Sequence, residues 1–402
     1  METGYRAGEA GYRRVCLALF AAGVATFAAL YSTQALLPEL ATAFDVTPAQ
    51  SSWSLSAATI GLGATLLITG SLSERIGRTR LIHLSLTLSA LVGLACAAAP
   101  GWPALLVLRL LQGVALAGLP AVATAYLREE LDPGVQARVA GLYIGGTALG
   151  GMSGRLVTGA LSDAYGWRVA LAAVAVLGLL CAALAAVLLP RSRNFVPSPP
   201  TFVSRRALTD PALLSLYAIG ACSMGAFMAV CNAMGFRLTA DFGLGVGAAG
   251  AVFLVYPVGS LSSTFSGRLA DRYGRRAVMP FGCLLTAAGL LLTLAGALPV
   301  VVTGLAVMTA GFFCVHGVAS GWVPVRAHAA GVAPAQAASF YLFAYYAGSS
   351  VLGSLAGVAW SAGAWPAVVL LSALFVSAGG YLALHLRRVP VLTRTNEVRP
   401  AG

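Results

Sequence analysis

The sequence predicts an all-α integral membrane protein in which twelve transmembrane helices form two parallel six-helix pseudo-repeats around a central cavity. Three observations carry that prediction. Of 402 residues, 58% are hydrophobic and 9% charged, with a mean hydropathy of +0.84, whereas soluble domains carry roughly 25% charged residues. Twelve apolar runs each suffice to cross a hydrocarbon core, which takes about 20 residues. The chain also resembles itself at a spacing of about half its length. Such a composition excludes a secreted protein, a cytosolic enzyme, a disordered regulator and a nucleic-acid binder, although the formal charge of +12 would suit the last.

In order, the expected spans are 15–37, 52–72, 81–99, 103–127, 139–160, 168–189, 211–235, 247–266, 277–298, 300–323, 338–360 and 365–386. The first lacks a small-residue cleavage site and reads as a retained helix. All 25 basic residues are arginine. With a cytoplasmic amino terminus, 21 of them fall on the inner side, Arg168 and Arg237 fall in outer loops, and Arg109 and Arg155 remain inside spans. That distribution obeys the positive-inside rule, so both termini are expected in the cytoplasm. The divisions follow: an amino-terminal segment 1–14, a first bundle 15–189, a linker 190–210 rich in Pro, Ser and Arg, a second bundle 211–386 and a tail 387–402. The seven cysteines sit inside apolar spans without metal-ligand spacing and read as small hydrophobes.

The polar residues inside spans are few. A charge at depth costs about 2.5 to 3.5 kcal/mol on insertion scales, so it normally faces a partner or a cavity. Arg109 in span 4 and Arg155 in span 5 lie near the outer ends of their helices, in one layer with Gln34 of span 1 and Gln112 of span 4. The four are expected to converge in the first half. Two roles are open to Arg109, bonding backbone carbonyls of span 1 or coupling to substrate or protons; Arg155 could instead reach outward to Asp163. At the repeat-related positions stand Val307, Ala310 and Gly353, and Gln34 aligns roughly with Asn232. None of the 13 acidic residues lies near the middle of a span, Glu39 at the outer end of span 1 being the nearest candidate. His316 in span 10 is the only deep group that titrates near neutrality, and is either a packing residue or a proton site. Tyr345 and Tyr346 of span 11, with Phe312, Phe313 and Trp322 of span 10, are candidates to line the cavity from the second half. Gly146, Gly150 and Gly154 form a small-residue stripe on span 5 for close helix packing.

The two halves match residue by residue. Gly70, Leu72, Glu74, Arg75, Gly77 and Arg78 recur 197 residues later as Gly267, Leu269, Asp271, Arg272, Gly274 and Arg275, after the second span of each half. At an offset of 198, Gly113 meets Gly311, Tyr143 meets Tyr341, Gly150 meets Gly348 and Trp167 meets Trp365. Six is even, so the copies are parallel repeats about an axis along the membrane normal. Glu74 and Asp271 place negative charge at the inner face, where the amino-terminal ends of spans 5 and 11 present unpaired N–H groups.

The segments GSLSERIGRTR (70–80) and GRLADRYGRR (267–276) resemble the loop motif of the Major Facilitator Superfamily. RLLQG (109–113) and the glycine-rich stretch 141–168 are similar to the proton-antiporter branch, although Gly151 takes a proline position of that signature and Arg155 a glycine position. The resemblance implies a secondary transporter working by alternating access, with Glu74 latching onto span 11 and Asp271 onto span 5 in the outward-facing state. It implies proton-coupled efflux of a small organic compound across a bacterial inner membrane, uptake of an organic anion being the alternative. A monomer embedded in the lipid bilayer is expected, driven by an ion gradient without cofactor, metal, ATP or nucleic acid. Gly245, Gly247 and Gly250 spell a dinucleotide fingerprint but follow no strand, and no Walker motif is present.

Overall fold

The computed structural model describes residues 4–195 and 204–389. Residues 196–203 of the expected linker, and Arg394 and Arg399 of the expected tail, lie outside the described residues. Ten helical stretches among the described residues are long and apolar enough to cross a membrane. In order, α1 (Ala10–Tyr31) is span 1, α2 (Leu37–Ala43) is a short helix after it, α3 (Pro48–Ile76) is span 2 and α4 (Arg78–Ala97) is span 3. Span 4 is α5 (Trp102–Leu116) running into α6 (Gly118–Glu130). Helix α7 (Pro133–Leu188) has 56 residues and breaks at Gly166, where φ is 79°, so it holds spans 5 and 6. Span 7 is α8 (Pro211–Ala240), and span 8 is α9 (Val246–Ala251) and α10 (Tyr256–Tyr273) joined by a 3-10 turn. Then come α11 (Arg275–Leu292), α12 (Leu298–Ala329) and α13 (Pro334–His385). The last has 52 residues, breaks at Gly363 and Ala364 and holds spans 11 and 12.

Span 1 stops earlier than the apolar run suggests. Proline has no N–H, and its ring clashes with the carbonyl four residues back, so Pro38 cannot continue a helix through Gln34. The chain turns between Tyr31 and Leu37 and restarts as α2 with its proline in the first turn. Gln34 therefore lies in a turn and not on a helix. The two copies of the loop motif break alike: Gly77 (φ 88°) and Gly274 (φ 84°) adopt a conformation that side-chain-bearing residues rarely take, separating α3 from α4 and α10 from α11.

Apolar lipid supplies no hydrophobic force between helices, so close backbone approach matters. Gly146, Gly150 and Gly154 lie directly on the carbonyls of Phe20, Val24 and Ala28, four residues apart on both helices, where a Cβ would overlap the oxygen. In the second half Gly348 sits the same way on Ala221. The termini, the linker and the loop-motif turns share one face, here the terminal face. Towards it each half has its own core, one built around Leu19, Ile82, Tyr126 and Val139, the other around Leu216, Met279, Val318 and Tyr341. Towards the opposite face a single core joins them, with Leu30, Leu55 and Leu62 packed among Phe227, Met228 and Leu352.

Candidate functional site

Arg109 is fully buried, and its guanidinium is committed to the backbone. The Nε group donates to the Ser54 carbonyl at 3.0 Å, while the terminal nitrogens donate to the carbonyls of Ala29 at 3.0 Å and Leu30 at 2.7 Å and to Gln112 Oε1 at 2.5 Å. Ala29 and Leu30 sit in the last turn of α1, whose carbonyls have no helical partner. Gln112 in turn donates to the Ser89 carbonyl at 3.1 Å, tying α5 to α4. Of the two roles open to Arg109, the geometry displays carbonyl bonding to span 1.

Arg155, also fully buried, points between the halves and not outward. Its Nε donates to Gln34 Oε1, one terminal nitrogen to the Gly151 carbonyl at 2.6 Å and the other to Tyr256 Oη at 3.2 Å. The rings of Tyr31, Tyr256 and Phe253 surround the guanidinium at 4.2, 4.5 and 4.8 Å, an arrangement that suits a partly desolvated cation. Gln34 passes the chain on, donating to Asn232 Oδ1 at 2.6 Å, and Asn232 donates to the Gly353 carbonyl at 3.2 Å. The expected single layer of four polar groups is thus two separate networks, Arg109 with Gln112 and Arg155 with Gln34. The turn at Pro38 places Gln34 on the side of Arg155. Asp163 does not meet Arg155; it accepts from the N–H groups of Val246 at 3.0 Å and Gly247 at 2.8 Å at the start of α9.

Around the middle of the membrane the second half contributes an aromatic cluster. Phe312 stacks on Phe227 with centroids 4.2 Å apart, His316 lies 4.7 Å from Tyr345, and Tyr345 lies 5.2 Å from Tyr346. His316 Nδ1 is hydrogen-bonded to Tyr341 Oη at 2.9 Å. Among the described residues the hydroxyls of Tyr31, Tyr345 and Tyr346 have no hydrogen-bond partner, yet none of them is cut off from water. Buried hydroxyls are ordinarily satisfied, so these three are placed to meet water or a ligand. Phe313 joins the cluster through Phe312 at 5.0 Å. Trp322 does not, packing instead on the separate core near the terminal face. Tyr31, Phe227, Phe253 and Tyr256 carry no signal in the sequence: apolar rings in apolar helices show no periodicity, and position 59, opposite Tyr256 at the 197-residue offset of that span, is a threonine.

All hydrogen bonds between the halves among the described residues lie between the opposite face and about the middle. Besides those of Gln34 and Asp163, Ser56 Oγ is 2.9 Å from Ser354 Oγ, and Thr59 Oγ1 is 2.7 Å from Ser350 Oγ. The serines at 51, 52, 54 and 56 are the feature of the sequence that could have pointed to this seam. Towards the terminal face, Gly70, Gly141, Gly145 and Gly267 have open space beside them. In this state Glu74 bonds Arg78 at 2.5 Å, Arg78 reaches Glu129 at 3.0 Å, and Asp271 is exposed. Arg75 and Arg272 are exposed as well, and Arg275 is half-buried. The halves thus share one core towards the opposite face and keep separate cores towards the terminal face.

Glu39 sits in α2, outside the membrane centre. Its carboxylate accepts from Ser162 Oγ and from the Trp167 N–H at 2.9 Å, bracing the break at Gly166. Burial pushes its carboxyl up, the Trp167 N–H opposes the rise and Asp163 adds to it.

The sequence model of the Major Facilitator Superfamily matches residues 19–236 and 216–401. The chain is 43% identical over 390 residues to the inner membrane transport protein YnfM of Escherichia coli, covering 94% of this chain and 93% of that one. It is 40% identical over 405 residues to the MFS-type transporter YybF of Bacillus subtilis, covering 98% of each. Among solved structures, a bacterial homologue of the human lysosomal transporter Spinster, inward-facing and unoccupied, superposes with a TM-score of 0.77 at 16% identity over 95% of this chain and 98% of that one. The nucleoside transporter NupG does so with 0.72 at 16% identity over 92% and 99%. Two six-helix halves closed over a central aromatic site, together with these matches along nearly the whole length, show that the chain belongs to the Major Facilitator Superfamily and is a multi-pass membrane transporter.

Proposed function

We propose that the protein exports a small organic compound from the cytoplasm across a bacterial inner membrane, coupled to proton entry. It works as a monomer, by alternating access, with both termini cytoplasmic and with no cofactor or nucleotide. The observation that carries this reading is the central cluster: partnerless hydroxyls of Tyr31, Tyr345 and Tyr346 beside His316, with no carboxylate in the middle of any span. Rings stack on a planar or apolar solute and the hydroxyls orient it. His316, hydrogen-bonded to Tyr341, is the group that takes the proton. Arg109 holds the end of α1 in place, whereas Arg155, Gln34 and Asn232 form the bonded seam that must part for release. Glu74 and Asp271 engage spans 11 and 5 once the terminal face closes.

A second reading has its own support. Among the described residues Arg155 lies between the halves without an acidic partner, and uptake of an organic anion by proton symport would use that charge. Transport into proteoliposomes under an imposed pH gradient, against a panel of sugars, amino acids, organic acids and hydrophobic drugs, separates the two. Export requires substrate flux opposite to the proton flux and a gradient-dependent rate that His316→Gln abolishes. Flux of an organic acid in the same direction as protons would establish the second reading, and transport indifferent to the gradient would end both.

A further inference from the structure

A cavity of about 660 Å³ lies on the flank of the first half at the terminal face, away from the central site, between the start of α4, the end of α7 and the residues that follow it. Arg75, Arg80 and Arg191 line it, all three exposed and without an ion pair or hydrogen bond among the described residues. Arg78 also lines it, but Glu74 and Glu129 engage that guanidinium. His83 completes the wall with a buried Nδ1 that has no partner. Phe195 folds over the rim, its ring 5.1 Å from the Arg78 guanidinium, and Thr79 pins Ser192 at 3.0 Å.

Apolar stripes begin where the cavity ends. Leu84, Leu88 and Leu91 of α4 are 43 to 49% exposed, and Leu180, Leu184 and Val187 of α7 are 44 to 80% exposed. Their spacing of four and three keeps each set on one side of its helix. The repeat does not reproduce the set in the second half: Ala277 stands opposite Arg80 and Pro280 opposite His83. The Arg276 guanidinium there is spent on the carbonyls of Arg387 and Val389.

We propose that this cavity binds the phosphate headgroup of an anionic glycerophospholipid, with Arg75, Arg80, Arg191 and His83 as its donors and the two apolar stripes receiving the acyl chains. A free cationic cluster at headgroup level on the arginine-rich face, directly above lipid-facing leucines, matches an anionic headgroup and its chains together. The site is independent of what the central cavity carries.

Native mass spectrometry of the purified full chain tests it, titrating phosphatidylglycerol, phosphatidylcholine or inorganic phosphate. Wild-type protein should retain phosphatidylglycerol in preference to phosphatidylcholine. The double variant Arg80→Gln/Arg191→Gln, which leaves Gly70, Glu74, Arg75, Gly77 and Arg78 untouched, should bind it roughly twenty-fivefold more weakly, at about a fivefold loss per arginine. Arg205→Gln/Arg268→Gln, on the same face outside the cavity, should bind as wild type. If the Gln variant does not remain monodisperse, Arg80→Lys/Arg191→Lys replaces it and should keep most of the preference. Equal retention of both lipids, undiminished phosphatidylglycerol binding in the Gln variant, or inorganic phosphate displacing the lipid at equal concentration would each overturn the proposal, the last in favour of a soluble anion.

Discussion

Arg109 and Tyr345 are both polar groups set in an apolar bilayer, and they differ in whether the protein itself satisfies them. Three carbonyls and Gln112 occupy Arg109. A lysine ammonium has three donors and no planar fork, so Arg109→Lys should leave carbonyls of α1 and α3 unpaired. It should lower the melting temperature in detergent and retain less than about a tenth of wild-type transport, the loss corresponding to roughly 1.4 kcal/mol. Near-normal transport at matched expression would mean that charge alone matters there. Tyr345→Phe and Tyr31→Phe should do the reverse, since each removes a hydroxyl the fold does not use. Melting temperature should hold while KM rises about fivefold to tenfold, the worth of one hydrogen bond of about 1 to 1.5 kcal/mol; an unchanged KM would take that tyrosine out of the site. Asp210 supplies a pH test. Burial alone would raise its carboxyl, but bonds from Arg326 and from the Leu213 and Ala212 N–H groups hold it below the usual aspartate range. A folded-state value below the unfolded one stabilises fully above about pH 3.9 and less as pH falls through the folded value. The stability advantage of wild type over Asp210→Asn should therefore be constant near neutrality and shrink below about pH 4.

At the scale of helices, the face of α7 that meets α1 is made of backbone as much as side chain. A methyl group at Gly150 has no space against the Val24 carbonyl, and overpacking of this kind typically costs about 1 to 3 kcal/mol. Gly150→Ala should lower the melting temperature measurably and Gly150→Val should prevent recovery of folded protein. Gly145→Ala, beside open space, should do neither. The loop motif has a different energetic character. Gly77 and Gly274 set the turns, while Glu74 and Asp271 are proposed to engage spans 11 and 5 once the terminal face closes. Asp271→Asn should consequently slow turnover more than it weakens substrate binding, because it shifts the populations of two states without touching the site. A normal turnover rate would remove the latch from this copy.

The molecule as a whole is two six-helix bundles joined towards one end of their interface. Gln34 and Asn232 stand 198 residues apart and bond each other directly, as repeat-related residues do where they meet on a pseudo-twofold axis. The seam continues through Ser56 and Ser354, whose hydroxyl oxygens are 2.9 Å apart. Cysteines at these two positions, in a background with the native cysteines replaced, should form a disulfide that holds the opposite face shut. Transport should stop on oxidation and recover with a reductant, while substrate binding from the terminal face persists. Transport that continues with the disulfide formed would show that this seam does not open.

Membrane insertion, the twelve crossings, the duplication and the family were legible in the sequence because each rests on a quantity summed over many residues. Apolar length sets a crossing, arginine placement sets a side, and a repeated motif survives its individual substitutions. The glycine stripe was legible for the same reason, small residues at intervals of four being a pattern. Partnership was not legible. Gln34, Arg109, Gln112 and Arg155 share a depth, but the turn at Pro38 and the angles at which α1, α5 and α7 cross divide them into two networks. Tyr31, Phe253 and Tyr256 had no sequence signal because an aromatic ring in a spanning helix reads the same whether it faces lipid, a neighbouring helix or a guanidinium. Depth follows from counting along one chain, whereas contact depends on the rotation of separate helices about their axes, and only the packing of all twelve spans sets that rotation.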